Sequence, residues 1–235
     1  MLIITGDTHN EFDGRRLYPD VFDYTGLTKD DYILIAGDFG YVWHGDERDD
    51  PLLDKLDSLP VTVLFIDGNH ENFNALGSYE IREWHGGRVH FIRDTVIHLM
   101  RGEIYDIDGY SVFTLGGAYS VDRYIREEGV SWWPQEIPSD EELEHARETL
   151  REHGNTVDLI VTHEVPTTFL KQLYSGVRGY PLTHFLEELD QTVKYGHWYS
   201  GHHHQEIEFD PNHSLLYTNY AYLPSKEKDV SFDQS

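Results

Sequence analysis

Five short motifs that are rich in aspartate, histidine and asparagine are spread along most of the chain. In order they are Gly6-Asp7-Thr8-His9, Gly37-Asp38, Asp67-Gly68-Asn69-His70-Glu71, Thr162-His163-Glu164 and Gly201-His202-His203-His204. Carboxylate, amide and imidazole groups are hard or borderline metal ligands. The chain contains no cysteine, so thiolate ligands are excluded, and the donors suit Mn, Fe, Zn or Mg better than soft metals. The motifs therefore indicate metal-dependent chemistry.

Each motif follows a short apolar run that predicts a buried strand, because the run is too short for a helix. Ligands of open α/β sheets bind where strands end and loops begin, and glycine lets the backbone turn sharply there. Taken alone, each motif is more typical of a turn, a helix cap, a core histidine or a surface histidine cluster. Their joint occurrence at strand ends predicts one shared metal site. The predicted strands are Leu2–Ile4, Tyr32–Ala36, Val61–Ile66, Val112–Leu115, Leu159–Thr162, His197–Ser200, Glu206–Phe209 and Ser214–Tyr217.

Helices are predicted between the strands, most clearly at Asp140–His153, with Ser139 as its N-cap and Gly154 after its last turn. Strands separated by helices in the first half predict βαβ units and a mixed α/β fold. The strand-rich middle and end of the chain predict a second sheet packed on the first. No repeat or linker divides the chain, so we expect a single domain over residues 1–235. The other predicted helices are Leu52–Leu59, Phe73–Leu76 and Leu182–Thr192.

The ordered set DTH, GD, GNHE, TH and GHHH resembles the motifs of the calcineurin-like metallophosphoesterase superfamily, and it spans Asp7 to His204. The resemblance implies an α/β fold of two packed mixed β-sheets flanked by helices, which is a four-layer α/β/β/α sandwich. It also implies a dinuclear metal site at the strand ends and the hydrolysis of phosphoesters. The strands and helices predicted above are compatible with this architecture.

The resemblance also implies a role for each motif residue in holding two divalent or trivalent metal ions. Asp38 would bridge the ions and offset their mutual repulsion. A bridging water, acidified by both ions, would attack phosphorus as hydroxide, while the ions bind the phosphoryl oxygens. Manganese and iron are the expected ions, with zinc, magnesium and nickel as alternatives. The ligands of one ion would be Asp7, His9 and His204, and those of the other Asn69, His163 and His202.

His70 matches the catalytic histidine of the superfamily, which lies beside the metal ions without binding them. In its protonated form it would donate to the leaving-group oxygen or hydrogen-bond a phosphate oxygen. Many relatives carry Gly-Asp-x-x-Asp in the second motif, and the last aspartate orients this histidine, but here Tyr41 stands in that position. Asp67 or Glu71 could orient His70 instead, although we expect Glu71 to cap the helix that follows.

Substrate contacts are predicted in the segment 117–138, which we interpret as a substrate-facing insertion of the single domain. The segment combines aromatic rings, which can stack, with arginines, which pair with phosphate oxygens. Alternatively, its Trp132 and Trp133 only close one edge of a sheet. Arg15 and Arg16, shortly after the first motif, are expected on a solvated helix face. The candidates for substrate contact are Tyr119, Arg123, Asn69 and His70.

The strong negative charge of the chain limits its partners. With 43 Asp and Glu against 18 Lys and Arg, the net charge is −25, and no extended basic surface for nucleic acid is evident. The sequence shows no basic amphipathic helix and no run of about 18 apolar residues, so no association with a membrane is expected. The N-terminal residues do not resemble a signal peptide, and a cytoplasmic location is expected. The sequence does not indicate an oligomeric state.

A small-molecule or nucleotide phosphoester is the favoured substrate, for either a phosphatase or a phosphodiesterase. The alternatives are a nucleotide phosphodiesterase or nuclease, a protein Ser/Thr phosphatase, a non-catalytic metal-bound scaffold and a structural zinc site. Protein phosphatases of the superfamily have arginine where this chain has Asp67, which argues against that activity. The complete ligand set argues against a scaffold. Asn69 and a bridging Asp38 argue against structural zinc, which prefers four thiolate or imidazole ligands.

Overall fold

The computed structural model describes residues 1–226, in which short strands alternate with helices and loops. The strands are β1 (Leu2–Thr5), β2 (Tyr32–Ile35), β3 (Thr62–Phe65), β4 (Ile81–Trp84), β5 (Gly87–Arg93), β6 (Val96–Leu99), β7 (Glu103–Ile107), β8 (Tyr110–Leu115), β9 (Leu159–Thr162), β10 (His197–Ser200), β11 (Ile207–Asp210), β12 (His213–Leu215) and β13 (Tyr220–Leu223). The α-helices are α1 (Glu11–Gly14), α2 (Asp50–Asp57), α3 (Phe73–Leu76), α4 (Asp140–Glu152), α5 (Thr167–Leu173) and α6 (Pro181–Thr192). Single turns of 3-10 helix lie at Arg15–Leu17, Arg123–Ile125 and Pro134–Glu136. Within residues 1–226, no helix has the length and apolar character needed to cross a membrane.

The strands form two mixed sheets. The first sheet has seven strands in the order β13-β1-β2-β3-β6-β5-β4, and its central strands β1, β2, β3 and β6 run parallel. The second has six strands in the order β11-β12-β10-β9-β8-β7, with β12, β10, β9 and β8 parallel. Antiparallel strands close the edges of both sheets. In each sheet, the loops that follow the parallel strands therefore all lie at the carboxyl ends of the strands, on one side of the sheet.

Alternating side chains of the central strands enter two different cores, as the pleat of a strand requires. Between the sheets, one face of the first sheet packs against the second sheet. The opposite face of the first sheet packs against α2, and the outer face of the second sheet packs against α4 and α6. The layers are thus helix, sheet, sheet, helix, which confirms the predicted four-layer α/β/β/α sandwich. Residues that meet between the sheets include Leu2, Ile4, Leu34, Leu64, Val112, Leu159 and Val161.

The predicted elements agree best with the structure at the centre of each sheet. Strands β9 and β10 and helix α3 have the predicted bounds, and α4 ends one residue earlier than predicted. Ser139 caps α4 as predicted, because its side chain accepts from the N–H of Glu142 while the Glu142 carboxylate accepts from the N–H of Ser139. The last predicted strand was wrong at its end, since Leu216 and Tyr217 follow β12 outside the sheet. Strands β4 to β7 and β13 and helices α1 and α5 were not predicted from the sequence.

Candidate metal centre

The five motifs of the sequence follow five parallel strands. Strands β1, β2 and β3 are neighbours in the first sheet, and β9 and β10 are neighbours in the second. Their carboxyl ends point to the same side of the molecule, so the loops after them converge. The structure brings six of the seven predicted ligands together there, in two groups whose candidate ligand atoms lie within 4.8 Å of one another, and the seventh, Asn69, lies beside His163. One group holds Asp7, His9, Asp38 and His204, and the other holds Asp38, His163 and His202.

Asp38 lies at the centre of the cluster and belongs to both groups. Its Oδ2 is 3.2 Å from Nε2 of His9, and its Oδ1 is 3.2 Å from Nε2 of His163. The backbone N–H of His70 donates to the same Oδ1 at 2.7 Å, which fixes the orientation of the carboxylate. One carboxylate thus faces one imidazole of each group, as a bridging ligand would.

The remaining donors complete the two groups. Nε2 of His204 lies 3.1 Å from Oδ2 of Asp7, and Oδ1 of Asn69 lies 3.2 Å from Nε2 of His163. The Oδ2 atom of Asp7 is buried and accepts no hydrogen bond among the described residues. A buried carboxylate oxygen without a donor is costly, and a cation would satisfy it. This set of carboxylate, amide and imidazole ligand atoms therefore fits metal ions.

Secondary contacts point the imidazoles towards the cluster. Nδ1 of His163 donates to the carbonyl oxygen of Ala36 at 2.8 Å, which leaves the Nε2 lone pair facing Asp38 and Asn69. Nδ1 of His9 lies 2.9 Å from Oδ2 of Asp13. Histidines that bind metals in proteins are commonly held in this way by a carbonyl or a carboxylate on the other ring nitrogen.

The charges at the centre attract cations. Burial opposes ionisation of Asp38, but the adjacent His163 and His9 hold the pKa of this carboxyl well below its usual range. Burial lowers the pKa of both imidazoles, yet the Asp38 charge outweighs it and raises the pKa of His163 to about 10 and that of His9 to about 9. Burial lowers the pKa of His202 to about 4. Protons and metal ions therefore compete for the nitrogens of His9 and His163.

The backbone of the centre is strained. Among the described residues, eight that are not glycine have a positive φ, and half of them are predicted ligands. Such conformations cost about 1–3 kcal/mol each and occur mainly at functional sites. These ligands are His9 (φ 43°), Asp38 (φ 47°), His202 (φ 73°) and His204 (φ 50°).

Two glycines of the motifs allow the ligands to approach one another. A Cβ atom on Gly37 would lie 2.1 Å from Nδ1 of His163, and one on Gly68 would lie 2.1 Å from Oδ1 of Asp38. Gly37 also has a φ of +95°, which side chains disfavour. Any larger residue at either position would displace a predicted ligand.

Glu71 does not cap the following helix, so that prediction was wrong. Its buried carboxylate points back at the loop after β2, where it accepts from the N–H groups of Phe39 at 2.7 Å and Gly40 at 3.2 Å. Asn72 caps α3 instead, by accepting from the N–H of Ala75. Burial raises the pKa of Glu71 to about 8, and the charge of Asp38 adds to this effect. Glu71 thus supports the loop that carries Asp38.

Neither carboxylate considered for orienting His70 contacts its ring. Asp67 is bound by Arg101 at 2.6 and 2.9 Å and by His98 at 3.3 Å, deep under the strand end. The partner of His70 is Arg126, whose Nη2 lies 2.9 Å from Nε2 of the imidazole. Because a guanidinium only donates, Nε2 of His70 must be the acceptor in this contact. Tyr41, at the position of the expected aspartate, is buried against Phe39.

The contact with Arg126 changes the electrostatics of His70. Burial lowers the pKa of His70, the charge of Asp38 opposes this effect, and the charge of Arg126 reinforces it. Arg126 also pairs with Asp122, with 2.8 Å between the charged groups. Arg123, and not Arg126, was predicted from the sequence as a substrate contact, since no local pattern distinguishes the two arginines.

The segment 117–138 lies against the predicted ligands. The side-chain amide of Asn69 donates to Oγ of Ser120 at 3.0 Å, and Arg126 reaches His70. Arg123 is exposed, with its guanidinium 4.4 Å from the ring centroid of Tyr119. The segment therefore contacts the cluster through Ser120 and Arg126, while the side chain of Arg123 is exposed.

Other predictions for the surroundings of the site had mixed outcomes. Trp133 is buried and packs edge-on against Trp43, which lies in the loop after β2, so this ring does not close a sheet edge. Arg15 pairs with Asp20 at the surface, as expected. Arg16 is not on a solvated face, because its guanidinium donates to the carbonyl oxygens at positions 6, 13 and 217. It ties the first motif to the loop after β12.

The fold is an α/β/β/α sandwich, and the clustered carboxylates and imidazoles form a candidate metal-binding site at the ends of its parallel strands. The chain belongs to the calcineurin-like phosphoesterase family, whose model matches residues 1–206. The family uses a dinuclear metal site, in keeping with the two groups that share Asp38.

Individual relatives are distant. The lariat debranching enzyme of Schizosaccharomyces pombe is 22% identical over 253 residues, which cover 98% of this chain and 48% of that protein. The chain thus spans about half the length of this relative. A Staphylococcus aureus protein provisionally described as a 5′-nucleotidase, in complex with α-ketoglutarate, matches with a TM-score of 0.48 and 14% identity, over 92% of this chain and 48% of its own. The sulfate thiohydrolase SoxB of Thermus thermophilus, in complex with glycerol, matches with a TM-score of 0.39 and 15% identity. This match covers 80% of this chain and 33% of the SoxB chain.

Proposed function

We propose that the chain is a dinuclear metal-dependent hydrolase of small or nucleotide phosphoesters. In this proposal Asp38 would contribute to holding both ions. The observation that carries the proposal is that Asp38 belongs to both groups of candidate ligands and faces one imidazole of each. Asp7, His9 and His204 would hold one ion, and Asn69, His163 and His202 would hold the other.

The donor set of carboxylate, amide and imidazole groups suits manganese or iron, and zinc, magnesium or nickel also accept such ligands. When bound, the two ions would supply an activated water as nucleophile and would offset negative charge on the phosphoryl oxygens. The chain's own groups orient this site, because the carboxylate of Asp13 holds the ring of His9 and the backbone carbonyl of Ala36 holds that of His163.

His70 and Arg126 are the side chains beside the candidate metal ligands that could contact the substrate. The guanidinium of Arg126 keeps N–H donors in addition to the one that His70 accepts, so it can bind a phosphoryl oxygen. In the same arrangement Nε2 of His70 accepts a hydrogen bond from Arg126. For this atom to donate a proton to a leaving group, the ring must be protonated and must have turned away from Arg126. Asn69, Tyr119 and Arg123 are further candidates for substrate contact.

A nucleotide phosphodiesterase or short-end nuclease is the second candidate. The likeness to a debranching enzyme over 98% of this chain favours it. The net charge of −25 disfavours long nucleic acids, because an acidic surface repels the phosphate backbone. We therefore favour nucleotides and the ends of short nucleic acids over long nucleic acids as substrates.

The proposal is tested by turnover of p-nitrophenyl phosphate, a monoester, and bis(p-nitrophenyl) phosphate, a diester, with Mn²⁺, Fe²⁺, Zn²⁺, Mg²⁺ and Ni²⁺ in turn. The wild type should hydrolyse at least one of the two esters. The variant Asp38→Ala should lose about 100-fold or more in kcat and bind less metal, since even outer-shell partners of a metal site are worth about 10- to 100-fold. Asp94→Ala, at an exposed position, is the matched control and should behave as the wild type.

Two results would contradict the proposal. If the metal-loaded wild type hydrolyses neither ester, the chain does not act on simple phosphoesters. If Asp38→Ala keeps full activity, Asp38 is not the bridging ligand. The ratio of monoester to diester turnover separates a phosphatase from a phosphodiesterase.

A further inference from the structure

A cavity of about 650 Å³ opens beside the metal centre. One wall is formed by the segment 117–138, and the opposite wall by the loop between α5 and α6. The predicted ligands His202 and His204 form part of its surface, so the cavity and the metal centre are continuous. Its volume lies within the range of about 300–1,000 Å³ that is typical of small-molecule sites. The other residues that matter here are Tyr119, Val121, Tyr174, Val177, Tyr180 and Glu164.

The polar groups on the floor of the cavity already have partners. The buried carboxylate of Glu164 accepts from Nε2 of His203 at 2.7 Å, from the hydroxyl of Tyr180 at 2.6 Å and from the N–H of Val165 at 2.7 Å. The other ring nitrogen of His203 lies 3.3 Å from the hydroxyl of Tyr174. Because these groups are satisfied within the protein, the floor offers no free charge to a ligand.

The walls of the cavity are aromatic and aliphatic. The rings of Tyr119 and Tyr180 lie 5.8 Å apart, and Tyr174 packs edge-on against His203 with 5.5 Å between ring centroids. Flat side chains of this kind favour flat ligands, which stack on them or meet their edges. Arg178 at the rim is exposed, and its positive charge disfavours a cationic ligand.

Part of the wall is unusually exposed for apolar groups. Tyr174 is 43% exposed and Val121 is 80% exposed, although both line the cavity next to the ligands. A patch of this kind at a polar site is typical of a surface that a ligand covers. The cavity thus has the shape and chemistry to receive an uncharged planar group.

We infer that this cavity binds a planar aromatic group of nucleobase size, carried by the phosphoester whose phosphate lies at the metal centre. The inference rests on the proposed function, since it takes the phosphate position from the two groups that share Asp38. A phosphate at the metals and a ring against Tyr174 can belong to one molecule because His202 and His204 border both spaces. The aromatic group, rather than the phosphate alone, would then determine the preferred substrate.

The test compares adenosine 5′-monophosphate with ribose 5-phosphate, which differ only in the base, as competitors of diester hydrolysis by the manganese-loaded protein. The nucleotide should bind about 5- to 150-fold more tightly, the range expected for stacking of one base on aromatic side chains. Tyr174→Ala should remove most of this difference and leave the constant for ribose 5-phosphate unchanged. Tyr174→Phe, which keeps the ring, should retain the difference in affinity between the two competitors. Val177→Asp, which places a charge in the wall, should abolish this difference.

Tyr222→Ala is the control, because Tyr222 is a comparably exposed tyrosine on the edge strand β13. The inference is overturned if the wild type binds both competitors equally, or if Tyr174→Ala and Val177→Asp leave the ratio unchanged. A ligand-observed NMR titration with adenosine, which has no phosphate, gives a result independent of hydrolysis. If no ester is hydrolysed, the proposed function fails, while adenosine binding that Tyr174→Ala removes would still support the cavity.

Discussion

At the scale of single residues, the contact of Arg126 with His70 decides which proton chemistry is open to the site. A carboxylate partner would stabilise a protonated imidazole, whereas a guanidinium stabilises the neutral ring. Arg126 is held by Asp122 and is only partly exposed, so its charge stays close to the metal centre. It is a positioning residue for His70 and a candidate donor to the phosphoryl group.

Arg126→Ala should lower kcat by about 100-fold, because loss of one donor aimed at the developing charge costs about that much. Metal content should stay at the wild-type level, since Arg126 contributes no ligand. Arg123→Ala is the matched variant, three residues away and stacked on Tyr119, and should raise KM with little change in kcat. The measurement is steady-state kinetics of the three proteins with metal content determined on the same samples.

Arg126→Lys distinguishes a chemical role from a structural one. It keeps the charge but loses the planar fork of donors, so activity should recover only in part. If Arg126→Ala lowers metal content in proportion to activity, or if KM alone changes, the guanidinium does not act on the phosphoryl group.

The clustering of the candidate ligands could be predicted from the sequence because each lies shortly after a strand, inside a motif of a few residues. Glu71 and Arg126 could not, because their partners are distant in the chain. The carboxylate of Glu71 reaches back 31 and 32 residues to two backbone N–H groups, and Arg126 lies 56 residues from His70. Only the packing of the loops creates these contacts.

At the scale of elements, the same distinction separates what was predicted from what was missed. Central parallel strands are buried on both faces and appear as continuous apolar runs. The edge strand β4 has the sequence Ile81-Arg82-Glu83-Trp84 with three of its four residues exposed, so it carries no apolar signal. The edge strand β13 is only partly buried. Their pairing depends on a neighbouring strand that local sequence does not reveal.

One element contact predicts a dependence of stability on pH. His213 in β12 lies between Asp190 of α6, at 3.0 Å, and Asp210 of β11, at 2.8 Å, with the hydroxyl of Tyr195 at 2.7 Å. Burial opposes protonation of His213, but the two carboxylates outweigh this effect and raise the pKa of His213 above 6.5. Burial and the charge of His213 lower the pKa of the neighbouring His197. A raised pKa in the folded state stabilises the protein below pH 6.5, and this contribution is lost as pH rises through the folded pKa.

His213→Asn should therefore destabilise the protein more at pH 6 than at pH 9. The measurement is urea unfolding at both values, because the difference between wild type and variant removes the pH dependence of every other group. His153→Asn, at an exposed position after α4, should show no such difference. Equal destabilisation at both pH values would mean that His213 contributes packing alone.

At the scale of the whole molecule, the metal centre joins the two sheets. Candidate ligands on loops after β1, β2 and β3 meet candidate ligands on loops after β9 and β10, in a chain whose net charge is −25. Ions that bind only the folded arrangement stabilise it by mass action, by about 2.7 kcal/mol at a free concentration of about 100 times Kd. They would also offset the repulsion between Asp7 and Asp38.

Addition of Mn²⁺ to the metal-free protein should therefore raise Tm by about 5–10 °C, since a domain of this size gains about 2–4 °C for each kcal/mol. The measurement is thermal unfolding followed by circular dichroism, with a chelator added afterwards to reverse the shift. Asp38→Ala should show a much smaller increase, because it removes the residue common to both groups, whereas Asp94→Ala should respond as the wild type does. If Asp38→Ala gains as much stability as the wild type, the stabilising ions bind elsewhere on the acidic surface, and the junction between the sheets is not where metal binding is coupled to folding.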